Sequence, residues 1–253
     1  MWFALVALAG AASVTVAGSQ TGAMPKDGRA LVERMHAAYA GRWFRTLTFA
    51  QKTTIVRPDE SRVEQTWFES MRSPDLLRID VAPLSDGNGS LNKPDSVVVV
   101  RGGKVTTTRP AGNPFLPFVV GIYTQPVDQS IAQLAAERYD MSLVRASEFL
   151  GRKVFVVGSK SDDDLTSPQF WVDAERLVAV RAILPSGANM LDITLDGYIQ
   201  SGASWVATKV SMMVGGKLRQ LEEYTEVRTD VELPADLFDP ARWMTAKHWA
   251  AGR

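Results

Sequence analysis

The chain contains no cysteine among its 253 residues. Thiol nucleophiles, thiolate metal sites, disulfides and lipid attachment at an N-terminal cysteine are therefore excluded. Only two histidines are present, His36 and His248, too few for an imidazole metal centre, and each is read as structural or surface-exposed. Charge of one sign is also missing, because 28 basic residues balance 28 acidic ones. That balance removes the electrostatic case for nucleic acid and gives no support to a polybasic membrane anchor. There is no G-x-S-x-G elbow, Walker loop or H-E-x-x-H motif. Asp162-Asp163-Asp164 is the one acidic cluster; it lacks the spacing of a calcium loop and is read as a solvated turn. No catalytic residue, metal ligand or cofactor is assigned, and a hydrolase stays open only because paired carboxylates need not be adjacent in sequence.

What the chain does have is apolar material. Hydrophobic residues make up 45% and there are seven tryptophans, enough for one large domain or two small ones. No linker divides the sequence, which favours one. From Trp2 to Ala17 every residue is apolar or small, and no charge precedes Lys26. This reads as a secretory signal peptide over residues 1–23, with Ala17-Gly18-Ser19 or Thr21-Gly22-Ala23 as the cleavage region. The run is short for a membrane span. An uncleaved anchor and a buried first element are the alternatives.

Asp27 is placed to cap a helix running to about Ala40, with Leu31, Met35 and Tyr39 on one stripe. From Arg45 the period changes to two, and about ten strand-like segments follow up to Arg228. Leu47, Phe49 and Ile55 share one face; Val63 to Met71 and Leu76 to Val81 come next. Ser85–Asp95 carries no pattern and reads as a loop. Gly102-Gly103 and Gly215-Gly216 are two-residue hairpin signals, since such turns need positive φ. Further strands are expected near Met141–Ala146, Lys153–Ser159, Gln169–Asp173, Leu177–Leu184, Met190–Tyr198, Ser204–Val214 and Leu218–Arg228. Leu191, Ile193 and Leu195 alternate with polar residues, whereas Val154–Val157 and Leu177–Val180 are apolar on both faces and need cover on both.

One segment interrupts the strands. Pro114 to Tyr123 is too apolar for a surface loop and too short to cross a bilayer, and Pro126 then opens a helix to about Ala136. It is either a core helix closing one end of the sheet or a lid over a hydrophobic cavity. The aromatics Trp43, Phe44, Phe49, Trp67, Phe68, Phe155, Phe170, Trp171 and Trp205 suit an ordinary core or a pocket for acyl chains equally well.

Several motifs, in order from Ala30 to Pro240, are similar to those of the outer-membrane lipoprotein-sorting (LolA/LolB-like) family. They are Phe49-Ala50-Gln51, Trp67 to Pro74, Val97 to Val105, Asn113-Pro114-Phe115-Leu116, Phe170-Trp171-Val172-Asp173 and Leu233 to Phe238. Ser73 is an extra residue before Pro74, and Arg101-Gly102 stands where the family has Ser-Asp. The resemblance implies a mainly β (α+β) fold: an incomplete, strongly curved antiparallel barrel whose concave face is plugged by helices. The domain would span residues 27–240, with 241–253 as a C-terminal tail. It also implies a monomeric, non-enzymatic periplasmic carrier that holds acyl chains of a lipoprotein or another lipid and meets inner- and outer-membrane transfer partners. A sensor of lipoproteins or envelope stress on the same fold is the alternative. Under this resemblance Phe49 and Trp67 are expected in the cavity wall and Phe115, Leu116, Phe118 and Val119 in the lid. Arg72 would match an arginine that holds the plug closed and times release.

Overall fold

The computed structural model describes residues 23–110 and 112–252. The expected leader lies outside the described residues, apart from Ala23. Asp27 is extended, and its Oδ1 accepts the Ala30 amide at 2.7 Å, starting helix α1 (Gly28–Tyr39). A side-chain acceptor there satisfies an amide that has no partner within the helix. The stripe Leu31, Val32, Met35 and Tyr39 is buried.

Strands β1 (Thr46–Val56), β2 (Arg62–Arg72) and β3 (Leu76–Val81) form a meander. It continues through β4 (Asn88–Asn92), β5 (Ser96–Arg101) and β6 (Lys104–Pro110) to one sheet edge. A helical interruption follows: a π-helical turn (Pro117–Gly121), a short α2 (Ile122–Thr124) and α3 (Val127–Ala136). Then come β7 (Val144–Phe149), β8 (Arg152–Val157), β9 (Gln169–Asp173), β10 (Ala179–Ser186) and β11 (Asn189–Asp196), with β7 at the opposite edge. A two-stranded ribbon, β12 (Ile199–Ser201) and β13 (Ser204–Val206), stands apart. The long hairpin β14 (Lys209–Val214) and β15 (Lys217–Thr229) returns the chain to β1.

The result is a 13-stranded antiparallel sheet, ordered β6-β5-β4-β3-β2-β1-β15-β14-β11-β10-β9-β8-β7, that does not close. Register shifts at Thr48/Ala50, Val99/Val100, Ala179/Arg181 and Met212/Met213 mark irregularities that bend strands and raise the local twist. The curvature gives the sheet a concave face, and α1, the π-turn and α2 pack into it around one apolar core.

The convex face of the first strands is covered by the end of the chain. Phe68, Ser70, Arg78 and Asp80 alternate with the concave-facing Trp67, Glu69, Met71, Leu77 and Ile79. Leu237, Phe238, Trp243 and Ala246 pack there with Leu91, Val98 and Val100, and Ala250 packs with Phe68. Residues 241–250, expected as a tail, are thus built into the fold by Trp243, His248 and Trp249. The Trp249 indole donates to the Ser70 hydroxyl at 3.0 Å. Gly89 in β4 makes room for this cover, because a Cβ there would meet the Ile79 carbonyl at 2.0 Å and the Trp243 ring at 2.7 Å.

Beneath that cover lies a buried ionic cluster. Arg78 donates from Nε and Nη2 to the two Asp80 oxygens at 2.7 and 2.8 Å. It also donates to the carbonyls of Leu237 and Trp243, and its guanidinium lies 3.8 Å from the Trp243 ring centroid. His248 Nε2 sits 3.2 Å from Asp80 Oδ2. Burial raises the Asp80 carboxyl, but the hydrogen bonds from His248 and Arg78 outweigh it and hold the group below the usual carboxylate range. The acidic run is also used locally. Asp162 pairs with Arg145 at 2.5 Å, and Asp164 Oδ1 accepts the Thr166 and Ser167 amides.

Candidate functional site

Between the concave face and the helical interruption lies a cavity of about 210 Å³. Because side chains alternate along a strand, every second residue of each central strand faces it. Leu47 and Phe49 come from β1; Trp67, Glu69 and Met71 from β2; Leu77 and Ile79 from β3. From the other side come Leu195, Val210, Met212, Gln220, Glu222 and Tyr224. The roof is Phe115, Leu116, Phe118, Val119 and Tyr123, with Trp43 and Phe44 behind it.

The roof is a plug held mainly by apolar contact. Phe118 packs against Phe170 and Tyr139, with ring centroids 5.3 and 5.9 Å apart. The Trp43 indole donates to the Val119 carbonyl at 3.0 Å, and its ring stacks on Tyr123 at 3.9 Å. His36 Nδ1 meets the Ile122 carbonyl at 2.9 Å, and the Tyr123 hydroxyl donates to the Leu177 carbonyl at 3.3 Å. These polar ties come from α1, the turn after it and the approach to β10. The strands below face the plug across a cavity lined mainly by apolar side chains.

Six of the seven residues expected at the site come together here: Phe49, Trp67, Phe115, Leu116, Phe118 and Val119. Phe49 stacks on Tyr224 with centroids 4.2 Å apart. Trp67 is half-buried, its indole donating to Gln65 Oε1 at 2.9 Å. Arg72 is placed elsewhere. Its Nη2 donates to the carbonyls of Leu233 and Pro234 at 2.8 and 3.1 Å, and its guanidinium lies 4.6 Å from the Phe238 ring centroid. Arg72 follows Met71 in β2, so alternation turns it to the convex face. The structure therefore ties it to the C-terminal cover, not to the plug.

Sequence reasoning missed the polar patch in the cavity. Glu69 is 5% exposed and Glu222 7%. On β1, Glu69 stands opposite Phe49, Tyr224 opposite Gln51 and Glu222 opposite Thr53, so the two acids flank β1 on its concave side. Glu222 accepts from Gln220 Nε2 at 2.6 Å and from the Tyr224 hydroxyl at 2.5 Å. Burial pushes Glu69 well above the usual carboxylate range, and the nearby Glu222 adds to the effect. Burial also raises Glu222, against the hydrogen bonds from Tyr224 and Gln220. One signal was available for Glu69, which shares its strand face with Trp67 and Met71; Glu222 sits between Gln220 and Tyr224 and gave none.

An open, curved antiparallel sheet with helices packed into its concave face over an apolar cavity defines the class. Three solved structures are similar to this chain in fold across nearly their whole length. A domain assigned to outer membrane lipoprotein sorting from Vibrio parahaemolyticus is 12% identical with a TM-score of 0.58, covering 86% of this chain and 98% of its own. A DUF1329 family protein from Desulfovibrio piger is 13% identical with a TM-score of 0.55, covering 84% and 95%. A LolA superfamily protein from Nitrosomonas europaea is 13% identical with a TM-score of 0.51, covering 84% and 97%. No family model and no curated protein matches the sequence. The chain has the LolA-type fold; at these identities the likeness speaks for the fold alone.

Proposed function

We propose that the protein is a non-enzymatic carrier that holds an acyl chain of a lipoprotein or another lipid in the concave-face cavity, working in the periplasm behind a cleaved leader. The observation that carries this reading is the cavity itself, lined mainly by apolar side chains of strands and plug. Phe49 and Trp67 are its wall; Phe115, Leu116, Phe118 and Val119 are its lid. Arg72 is left out of the proposed ligand site, because its Nη2 donates into the C-terminal cover.

The energetics suit a reversible carrier. Each methylene taken out of water contributes ~0.8 kcal/mol, so about ten methylenes supply roughly 8 kcal/mol, the free energy of micromolar binding. The cavity, at about 210 Å³, is smaller than the ~300–1,000 Å³ typical of ligand pockets. A long chain therefore enters by displacing the plug. Losing the plug's own contacts offsets part of that gain, which keeps the ligand releasable to a second protein. Support from the fold comes from the lipoprotein-sorting domain of Vibrio parahaemolyticus, whose sheet this chain shares.

Titration with an environment-sensitive fluorescent fatty acid tests the reading. Saturable one-to-one binding in the micromolar range is expected, and Val210→Trp, which fills the cavity, removes it. An absence of saturable binding to the wild-type protein sinks the proposal.

A further inference from the structure

The cavity is apolar but its ionisable lining is one-sided. Glu69 and Glu222 face it, together with Tyr123, Tyr198 and Tyr224, and among the described residues no lysine, arginine or histidine lines it. The tyrosines are already engaged: Tyr123 donates to the Leu177 carbonyl, Tyr198 to the Ala179 carbonyl and Tyr224 to Glu222. Glu69 is 5% exposed and lines the cavity, and burial pushes its carboxyl well above the usual range. Among the described residues Oε1 of Gln51, on the concave side of β1 between Phe49 and Thr53, is a buried acceptor without a partner. A buried acceptor without a partner is costly, and a ligand that donates hydrogen bonds there recovers that cost.

We propose that the cavity selects amphiphiles bearing a protonated amine, which Glu69 and Glu222 receive while the chain lies against the apolar wall. The inference rests on the cavity being the ligand site. Burial raises both carboxyls, and the charge of Glu222 adds to the rise at Glu69, so negative charge here is costly without a cation to offset it. An alkylammonium brings a positive charge and up to three hydrogen-bond donors. A carboxylate or phosphate headgroup meets two acids and no cation, and is disfavoured. A neutral alcohol gains a hydrogen bond without the charge.

Three ligands of one chain length separate these cases: hexadecylamine, hexadecanol and hexadecanoate, each displacing a bound fluorescent acyl probe at pH 7. The expected order is amine tightest, by about tenfold or more over the alcohol, with the acid weakest. In Glu69→Gln/Glu222→Gln the amine's advantage over the alcohol disappears, with circular dichroism reporting that the fold is retained. Equal displacement by all three, or tightest binding of the acid, overturns the amine preference and leaves the acyl-carrier reading intact. An amine preference that survives the double substitution overturns the assignment to the two glutamates. If none of the three displaces the probe, the carrier reading fails and this inference falls with it.

Discussion

Trp43 fastens the plug twice, stacking on Tyr123 at 3.9 Å with the rings 21° from parallel and donating its indole N–H to the Val119 carbonyl at 3.0 Å. Both contacts come from the turn between α1 and β1, so one side chain links the first helix to the lid. Under the carrier reading this is the latch that a ligand works against. Trp43→Phe keeps an aromatic ring and removes the donor. It is expected to cost about 1–3 kcal/mol of stability and to speed entry of a fluorescent fatty acid in stopped-flow mixing. An unchanged association rate, with the stability loss present, contradicts the latch.

The buried cluster on the convex face predicts a larger effect. Asp80→Asn leaves Arg78 charged, 3% exposed at its side chain and without its bidentate partner. Removing one member of a buried ion pair costs about 3–5 kcal/mol. Urea unfolding should show that loss as a lower midpoint with the same slope. A change below about 1 kcal/mol would show that the pair behaves as a surface bridge does.

Glu69 and Glu222 predict how stability depends on pH. Both carboxyls are raised in the folded protein, chiefly by burial, while an unfolded glutamate titrates near ~4.3. Above that pH the native state binds more protons than the unfolded chain, so these groups lower stability as pH rises towards their folded values. Glu69→Gln removes the penalty. Its melting temperature relative to the wild type is expected to climb from about pH 4 upward. A difference that stays flat between acidic and neutral pH contradicts the raised carboxyl.

The C-terminal cover is expected to be structural. Trp243 is buried on β3–β5 and stacks on Arg78. Trp243→Ala should therefore cost about 3–5 kcal/mol in chemical denaturation. A near-neutral result would mean that the cover contributes little to holding the sheet.

Much of this arrangement was legible because local signals and tertiary demands agree. Asp27 caps α1 as expected, and Gly102-Gly103 and Gly215-Gly216 turn their hairpins with positive φ at all four glycines. Val154–Val157 is buried throughout, as a strand apolar on both faces requires, and Leu177–Val180 is buried too, although its strand begins only at Ala179. The misses have physical causes. β4 lies in a stretch read as a loop, because Asn88, Gly89, Ser90 and Asn92 carry poor strand propensity and pair only because β3 and β5 flank them. Ser204–Val214 was expected as one strand, yet it breaks after Val206, where β13 pairs with β12 instead of entering the sheet. In the site, the aromatic wall was visible as apolar alternation. The face of Arg72 was not, since one residue of register reverses a side chain. Nor does a sequence show that Glu69 and Glu222, 153 positions apart in the chain, converge on one cavity.

The most direct test of the central claim is native mass spectrometry of the mature protein purified without detergent from a bacterial periplasm, beside Val210→Trp prepared in the same way. The account predicts a one-to-one adduct on the wild-type protein that dissociates as an acyl lipid, and its absence from the filled-cavity variant. Equal adducts on both proteins, or a wild-type protein that remains bare after incubation with acyl lipid, would contradict it.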